Sequence, residues 1–359
     1  MSHEPIRLEN CVKLIHTALL SAVIACSALG WAQSEPASCT AVPPTGYSVV
    51  DLGSLGNGSV AFGISSKGDV TGEFFINLTQ ADAFLWTPTG GMKDLGLLPG
   101  GTFSVGLAVN DSDEVVGYAD GTGFKQHAFL WTSSGGMQDL GALGSVANAS
   151  FAYGIDNAGR IVGGSYDDKD SEYSTAWINK KLRTLSPKSF GEARAISTTA
   201  GYVAGLGNNG DAIVWKKSVG FTDLGRLPGG TISFAYGVNN IGDAVGYSDF
   251  GDPAHNITAF FWSANTGIMS MGTLGGNPSA AQGINDQCLA VGWSIIFNTI
   301  DEHAFVWSQA SGIIDLNTLL PPQSGWVLTN AYAINAGGQI VGQGAINGKF
   351  DAFLLTPAH

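Results

Sequence analysis

The 359-residue chain carries 16 Lys and Arg against 29 Asp and Glu, a net charge of −13. An acidic surface of this kind excludes nucleic-acid phosphate as a partner, because phosphate binding needs clustered cations. With 51 glycines, only 13% charged residues and no helical periodicity after residue 32, the sequence also excludes a helical core and reads as turn-rich all-β.

The N-terminus reads as a targeting segment. Arg7 and Lys13 precede an uncharged run from Leu14 to Trp31, and Gly30-Trp31-Ala32 offers small residues of the kind a signal peptidase reads. Cleavage before Gln33 would release a secreted or periplasmic protein, with residues 1–32 as the signal peptide. Val23-Ile24-Ala25-Cys26 also has the form of a lipobox, so a lipid on Cys26, or an uncleaved leader, is the alternative route to a membrane. Residues 33–46 are rich in Pro and Ser and predict an extended arm. Beyond the leader two cysteines remain, Cys39 and Cys288. In an oxidising compartment they either form one disulfide or stay as two separate thiols.

From Tyr47 onward three landmarks recur, and their spacing defines a repeat. An apolar run with Ala at its head, Ala-Phe-Leu-Trp at 128–131, stands in seven versions that begin at 83, 128, 176, 212, 259, 304 and 352. Asp-Leu-Gly at 139–141 returns at Asp51, Asp94, Asp223 and Asp315, and in altered form at Thr184 and Ser270. The third landmark is small-x-small-(Ile/Val)-(Asn/Asp/Ser), a turn, then x-Val-x-Gly, with its glycine at 72, 117, 163, 205, 246, 292 and 342.

These motifs resemble the bacterial HAF extracellular repeats, named after the His-Ala-Phe that stands here at 127–129 and 303–305. The resemblance spans about residues 47–355 and implies an extracellular, propeller-like repeat protein without specifying a chemistry. Five copies replace the His with Asp82, Thr175, Asp211, Thr258 or Asp351, which argues against a shared catalytic His.

Each landmark has the alternation of a strand. Both alternating sets of Ala-Phe-Leu-Trp are apolar, so both faces of that strand must be covered. Small residues at Ala152 and Gly154, Ala235 and Gly237, Ala331 and Ala333 predict crowding where strands converge near an axis. A β-propeller meets both demands, with strands a to d ordered as the small segment, x-Val-x-Gly, Ala-Phe-Leu-Trp and Asp-Leu-Gly. The series opens with a lone strand d at 47–52 and ends on a strand c at 352–355. If the first strand completes the last blade, seven four-stranded blades close into one domain over 47–359 and the exposed edges vanish. A parallel solenoid is the competing architecture, and it would leave both ends open.

The a–b and c–d turns have nearly constant length, whereas the b–c and d–a connections vary and emerge on one face. Variable loops on a rigid frame are where binding usually resides. Candidate residues there are Tyr166, Asp168, Asp170, Glu172 and Tyr173 in blade 3, Asp249, Asp252 and His255 in blade 5, and Asp301, Glu302 and His303 in blade 6. Tyr118, Tyr247 and Trp293 follow strand-b glycines and point toward the same mouth. Together they describe an acidic cup with aromatic platforms, suited to sugars or a cationic peptide, with Ca²⁺ on the carboxylates as a further option. The repeated tryptophans Trp86, Trp131, Trp215, Trp262 and Trp307 read as inter-blade core, and Asn110, Asn239, Asn285, Asn335 and Asp156 as turn-bracing side chains.

No Gly-x-Ser-x-Gly elbow and no His-Glu-x-x-His occurs. His255 and His303 near Asp252 or Glu302 are the remaining acid–base or metal pair. Two functions follow: an extracytoplasmic, non-catalytic binding or scaffold propeller recognising a glycan or a surface protein, and, alternatively, a polysaccharide hydrolase or lyase working through carboxylates of the same face.

Overall fold

The computed structural model describes Cys39 and residues 41–145, 148–185, 191–207, 209–251 and 256–358. The expected signal peptide, Cys26, Asp252 and His255 lie outside the described residues. The chain opens with β1 (Tyr47–Gly53). Blade 1 is β2 (Ser59–Ile64), β3 (Val70–Phe75), β4 (Ala81–Thr87) and β5 (Gly91–Asp94). Blade 2 is β6 (Ser104–Val109), β7 (Val115–Gly121), β8 (Phe124–Thr132) and β9 (Gly136–Asp139). Blade 3 is β10 (Ser150–Ile155), β11 (Ile161–Tyr166), β12 (Glu172–Ile178) and β13 (Lys181–Thr184). Blade 4 is β14 (Glu192–Ile196), β15 (Val203–Leu206), β16 (Ala212–Lys216) and β17 (Gly220–Gly225). Blade 5 is β18 (Ser233–Val238), β19 (Ala244–Asp249), β20 (Ile257–Ser263) and β21 (Gly267–Gly272). Blade 6 is β22 (Gly275–Ile284), β23 (Ala290–Ile296), β24 (Glu302–Ser308) and β25 (Gly312–Asp315).

Blade 7 draws on both ends of the chain: β26 (Trp326–Ile334), β27 (Ile340–Ile346) and β28 (Lys349–Pro357), with β1 as its outer strand. Tyr47 pairs with Pro357, Val49 with Leu355 and Asp51 with Phe353, all antiparallel. The ring is therefore a closed seven-bladed β-propeller, as the repeat arithmetic predicted, and the solenoid is excluded.

The core is divided among the seven interfaces between neighbouring blades, where seven separate apolar clusters lie. In five blades the Phe of the Ala-Phe run is fully buried: Phe84, Phe129, Phe260, Phe305 and Phe353. Burying a side chain of that size contributes on the order of 2–3 kcal/mol. Trp131 and Trp307 lie inside these clusters, and Trp86, Trp215 and Trp262 pack against them, so both faces of strand c are covered.

Two polar belts join the blades. The Oγ of Ser59, Ser104, Ser150, Ser233 and Ser279 accepts from the N–H of Ala352, Ala83, Ala128, Ala212 and Ala259 in the preceding blade. The same hydroxyls donate to carbonyls of Gly53, Gly96, Gly141, Gly225 and Gly272. At the a–b turns, Asn110, Asn239, Asn285 and Asn335 accept turn N–H groups through Oδ1. Their Nδ2 groups donate to the next blade, and Asn335 closes the circle on the Ser65 carbonyl at 3.0 Å. Asn rather than Asp is needed for this second task, because only the amide has a donor.

Cys39 and Cys288 form a disulfide with a Cα separation of 5.3 Å. It ties the segment before β1 to the a–b turn of blade 6, on the side opposite the variable loops. Asp243 Oδ2 lies 3.5 and 3.4 Å from the two sulfurs. These are packing contacts, since a disulfide has no proton to donate, and burial pushes the Asp243 carboxyl up.

Candidate functional site

The innermost strand of every blade carries a β-bulge between its two small residues: 61/63, 106/108, 152/154, 193/195, 235/237, 281/283 and 331/333. A bulge leaves one residue unpaired and turns its side chain out of the ladder. Here the extra residues are Phe62, Leu107, Tyr153, Arg194, Tyr236, Gln282 and Tyr332, one per blade, and together they line a cavity of about 190 Å³ on the axis. The small flanking residues are required because the inner strands touch: a Cβ on Gly63 would lie 2.8 Å from the Leu107 carbonyl oxygen of the next blade, and one on Gly237 3.0 Å from that of Gln282.

One step toward the variable-loop face, the strand pairs are Val60 with Glu73, Val105 with Tyr118, Phe151 with Gly164, Glu192 with Leu206, Phe234 with Tyr247, Ala280 with Trp293 and Asn330 with Gln343. Glu73, Tyr118, Phe151, Glu192, Phe234, Tyr247, Trp293, Asn330 and Gln343 are all half-buried, as the walls of an open mouth would be. The rings pack against one another: Tyr118 meets Phe151 edge-on at 5.2 Å, and Phe234 stacks on Tyr247 at 6.1 Å. Blade 3 has Gly164 where other blades place a large side chain, and the carboxylate of Glu172 occupies the space, with Oε1 2.8 Å from where a Cβ would stand.

The charges fall into two groups. Arg194 donates through Nη1 to Glu192 Oε1 at 2.8 Å, with its guanidinium 4.1 Å from the centre of the Tyr153 ring and 5.5 Å from that of Tyr236. Burial and the charge of Glu192 raise the Glu172 carboxyl, and burial and Glu172 raise the Tyr166 hydroxyl. Across the mouth, burial pushes Glu73 up to about 7. Tyr332 is pushed up to about 12 by burial, then by the charges of Glu302 and Glu73. Glu302 accepts from Asn330 Nδ2 at 3.0 Å. Four carboxylates from four blades thus surround an aromatic-walled opening that holds one guanidinium.

Of the residues singled out from sequence, Tyr118, Tyr166, Glu172, Tyr247, Trp293 and Glu302 stand at or beside this mouth. Others brace loops. Asp249 is fully buried, and its carboxylate accepts from the N–H groups of Thr231 and Ile232 and from the Thr231 hydroxyl; Asp120 does the same for Thr102 and Phe103 in blade 2. Asp168 accepts from Ser145 N–H and Asn148 Nδ2, and Tyr173 hydrogen-bonds Asp167 in its own turn. Asp170, with φ of 55°, and Asp301 are exposed in b–c turns. Among the described residues, the one group of three His, Cys, Asp or Glu side chains whose ligand atoms lie within 4.8 Å of one another is Asp243 with Cys39 and Cys288, and both of those sulfurs are taken up in the disulfide; the blade 3 loop acids form no such group.

His303 Nδ1 lies 2.7 Å from Asp315 Oδ2, and His127 Nδ1 lies 2.9 Å from Asp139 Oδ1. The His of the repeat motif therefore pairs with the Asp of the Asp-Leu-Gly landmark inside its own blade. For Asp139, burial pulls the carboxyl up, but the His127 bond and the Gly141 N–H outweigh it and hold it low. Blade 1 has Asp82 at the His position, and burial plus the Asp94 charge raise it to about 6, with one buried oxygen lacking a partner. The folded chain thus keeps a proton that the unfolded chain releases near pH 4, and stability falls as pH rises from about 4 through 6. Asp82→His should recreate the pairing and stabilise the fold by about 1–3 kcal/mol at pH 7 and much less at pH 4, read by urea unfolding at both pH values. An equal gain at the two would disprove the carboxylate conflict.

The bulge ring, Glu73, Glu192 and Arg194 escaped sequence reading, although a signal existed. The residue between the two small ones is the strand-a position whose chemistry ranges from Phe to Arg to Gln while its neighbours stay fixed.

No protein-family model and no curated protein matches the chain. Solved structures share its fold at 10–11% identity. An oligogalacturonate lyase in complex with manganese aligns over 82% of this chain and 86% of its own, with a TM-score of 0.50. A lectin from Burkholderia pseudomallei aligns over 88% and 96% with a TM-score of 0.46, and YCF48 bound to a D1 peptide over 89% and 98% with a TM-score of 0.47. At this level the likeness extends to the propeller architecture alone.

Proposed function

We propose that this chain is an exported, HAF-type binding propeller, without catalytic turnover, that takes a positively charged segment of a surface protein into the mouth of its channel. The observation that carries this reading is the set Glu73, Glu172, Glu192 and Glu302, drawn from four blades and interleaved with Tyr118, Phe151, Tyr247 and Trp293. Glu73, lifted by burial, and Glu172, lifted by burial and the Glu192 charge, gain most from an incoming cation, and aromatic faces add cation–π attraction. Exposed apolar side chains at the tips of the same face, Leu55, Leu78, Phe297 and Ile300, favour a protein over a small solute.

The test is titration with Arg-containing peptides at several pH values. Because Glu73 titrates at about 7, a cation beside it is held more tightly as pH rises from 6 to 8, on the order of tenfold. Glu73→Gln should flatten that dependence while the protein stays folded. Retention of the full pH dependence in the variant would remove Glu73 from the site.

A second reading rests on the same residue. A carboxyl poised at about 7 against aromatic walls is the general-acid arrangement of polysaccharide cleavage. Release of reducing ends from a polysaccharide panel, lost in Glu73→Gln, would replace the binding reading with this one.

A further inference from the structure

Where the ring closes, a groove of about 420 Å³ opens between blades 7 and 1, lined by Asn57, Phe75, Gln343, Gly348, Lys349 and Phe350. Its walls are the ring of Phe75, at the outer end of β3, and the ring of Phe350, which is 53% exposed on the β27–β28 hairpin. The floor is fixed rather than adaptable. Gly56 and Gly58 thread between the two walls so closely that a Cβ on Gly58 would stand 2.5 Å from the Phe350 carbonyl oxygen, and one on Gly56 would overlap that of Phe75. Asn57 donates its N–H to the Phe75 carbonyl at 2.6 Å and its Nδ2 to the Ile76 carbonyl at 2.8 Å. A concave site built on backbone contacts of this kind exists before any ligand arrives, so a ligand meets no ordering cost there.

The groove is continuous with the mouth. Gln343 lines the groove, belongs to the half-buried tier of the mouth, and donates Nε2 to the Ser59 carbonyl across the blade boundary at 3.3 Å. On this side of the mouth stand Glu73, two residues before Phe75 on β3, and Glu302, both close enough to raise the Tyr332 hydroxyl. Two neighbouring subsites of different character result, an acidic one on the axis and one walled by two aromatic rings at the seam. The second is edged by Lys349, whose charge disfavours a second cation there.

We propose that the seam groove is an anchor pocket for one apolar side chain, best an aromatic one, of the same extended protein segment whose cationic side chain occupies the mouth. The occupant is thereby specified as a bipartite segment, a cation followed or preceded at short spacing by an aromatic residue. This builds on the binding function proposed above, but the groove has its own walls and its own variants.

The experiment uses the full chain and synthetic eight-residue Gly/Ser peptides carrying one Arg and one Phe at separations of one to four residues, with Arg-only and Phe-only controls, in calorimetric titrations. At the matching separation Phe should tighten binding about tenfold or more over the Arg-only peptide, the scale expected for burying one such ring. Phe350→Ser removes a wall and Asn57→Trp fills the space; both positions are exposed, and unchanged melting temperatures verify folding. Each should reduce the two-residue peptide to the affinity of the Arg-only one and leave the latter unchanged. If Phe adds less than twofold at every separation, or both variants bind the two-residue peptide like wild type, the pocket is refuted. If Phe-dependent binding survives but Arg adds nothing, the pocket stands and the cationic reading of the mouth falls. Absence of binding by any peptide refutes both.

Discussion

A chain that begins at Ser54 is expected to lose the cooperatively folded monomer. Removing β1 strips from blade 7 its outer strand, with the Tyr47 and Leu52 side chains at 1% and 5% exposure. Each buried side chain of that size is worth about 1.5–3 kcal/mol, and the lost ladder hydrogen bonds about 1 kcal/mol apiece. The sum exceeds about 5 kcal/mol, comparable with the entire stability of an ordinary domain. The deletion also exposes the edge of β28, whose run of Phe353, Leu354 and Leu355 is buried in the intact ring, and an unpaired apolar edge recruits other chains. Size-exclusion chromatography should show dimers or larger aggregates, and circular dichroism a broad transition displaced downward by 10 °C or more. The Cys39→Ser variant keeps β1 and loses only the disulfide, so it should remain a monomer with a sharp but lowered transition. A monomeric, sharply melting protein lacking 1–53 would mean that strand closure contributes little and that the belts of Ser and Asn between blades hold the ring alone.

The closure was legible in the sequence because it is a matter of counting: a lone strand d at one end and a missing one at the other admit one economical solution. Core placement was legible for a similar reason, since Phe129 and Trp131 are apolar on both alternating faces and such a strand must be covered twice. The loops were harder. Asp249 and Asp168 have the chemistry of ligands, and nothing local tells a carboxylate that faces solvent from one that accepts three bonds from an adjoining connection; the partners, Thr231 and Ile232 or Ser145 and Asn148, are 17 to 23 residues away. The channel lining was missed for a different reason. Strict alternation places Phe62 or Arg194 on the face opposite its small neighbours within a flat ladder, whereas the bulge directs it to the axis, and bulges are not read from apolar periodicity. Glu73 follows its strand-b glycine as Tyr118, Tyr247 and Trp293 follow theirs, so its place was legible; the burial that pushes its carboxyl up was not, because it depends on the neighbouring blades.

Gly246→Ala is expected to be among the most damaging single-methyl additions anywhere in the chain, and the reason links the fold to the mouth. In each blade the strand-b glycine pairs with the small residue at which the bulge begins, and the carbonyl of the residue before that one is directed at the glycine. A Cβ on Gly72, Gly117, Gly163, Gly205, Gly246, Gly292 or Gly342 would overlap the carbonyl oxygen of Val60, Val105, Phe151, Glu192, Phe234, Ala280 or Asn330. The obstacle is backbone, so no rotamer change relieves it; either the bulge flattens or the two strands part. We expect a loss upward of about 3 kcal/mol, read as a fall in the denaturant midpoint. Gly46→Ala serves as the control, because its Cβ would meet only ordinary contacts at 3.6 and 3.9 Å. If the Gly246 variant folds, it folds by flattening the bulge in β18, which withdraws Tyr236 from the channel ring and from the 5.6 Å contact with Tyr247. Ligand binding at the mouth should then weaken even though no mouth residue has been changed. A variant with native stability would show that the glycine repeated in all seven blades answers to something other than the bulge.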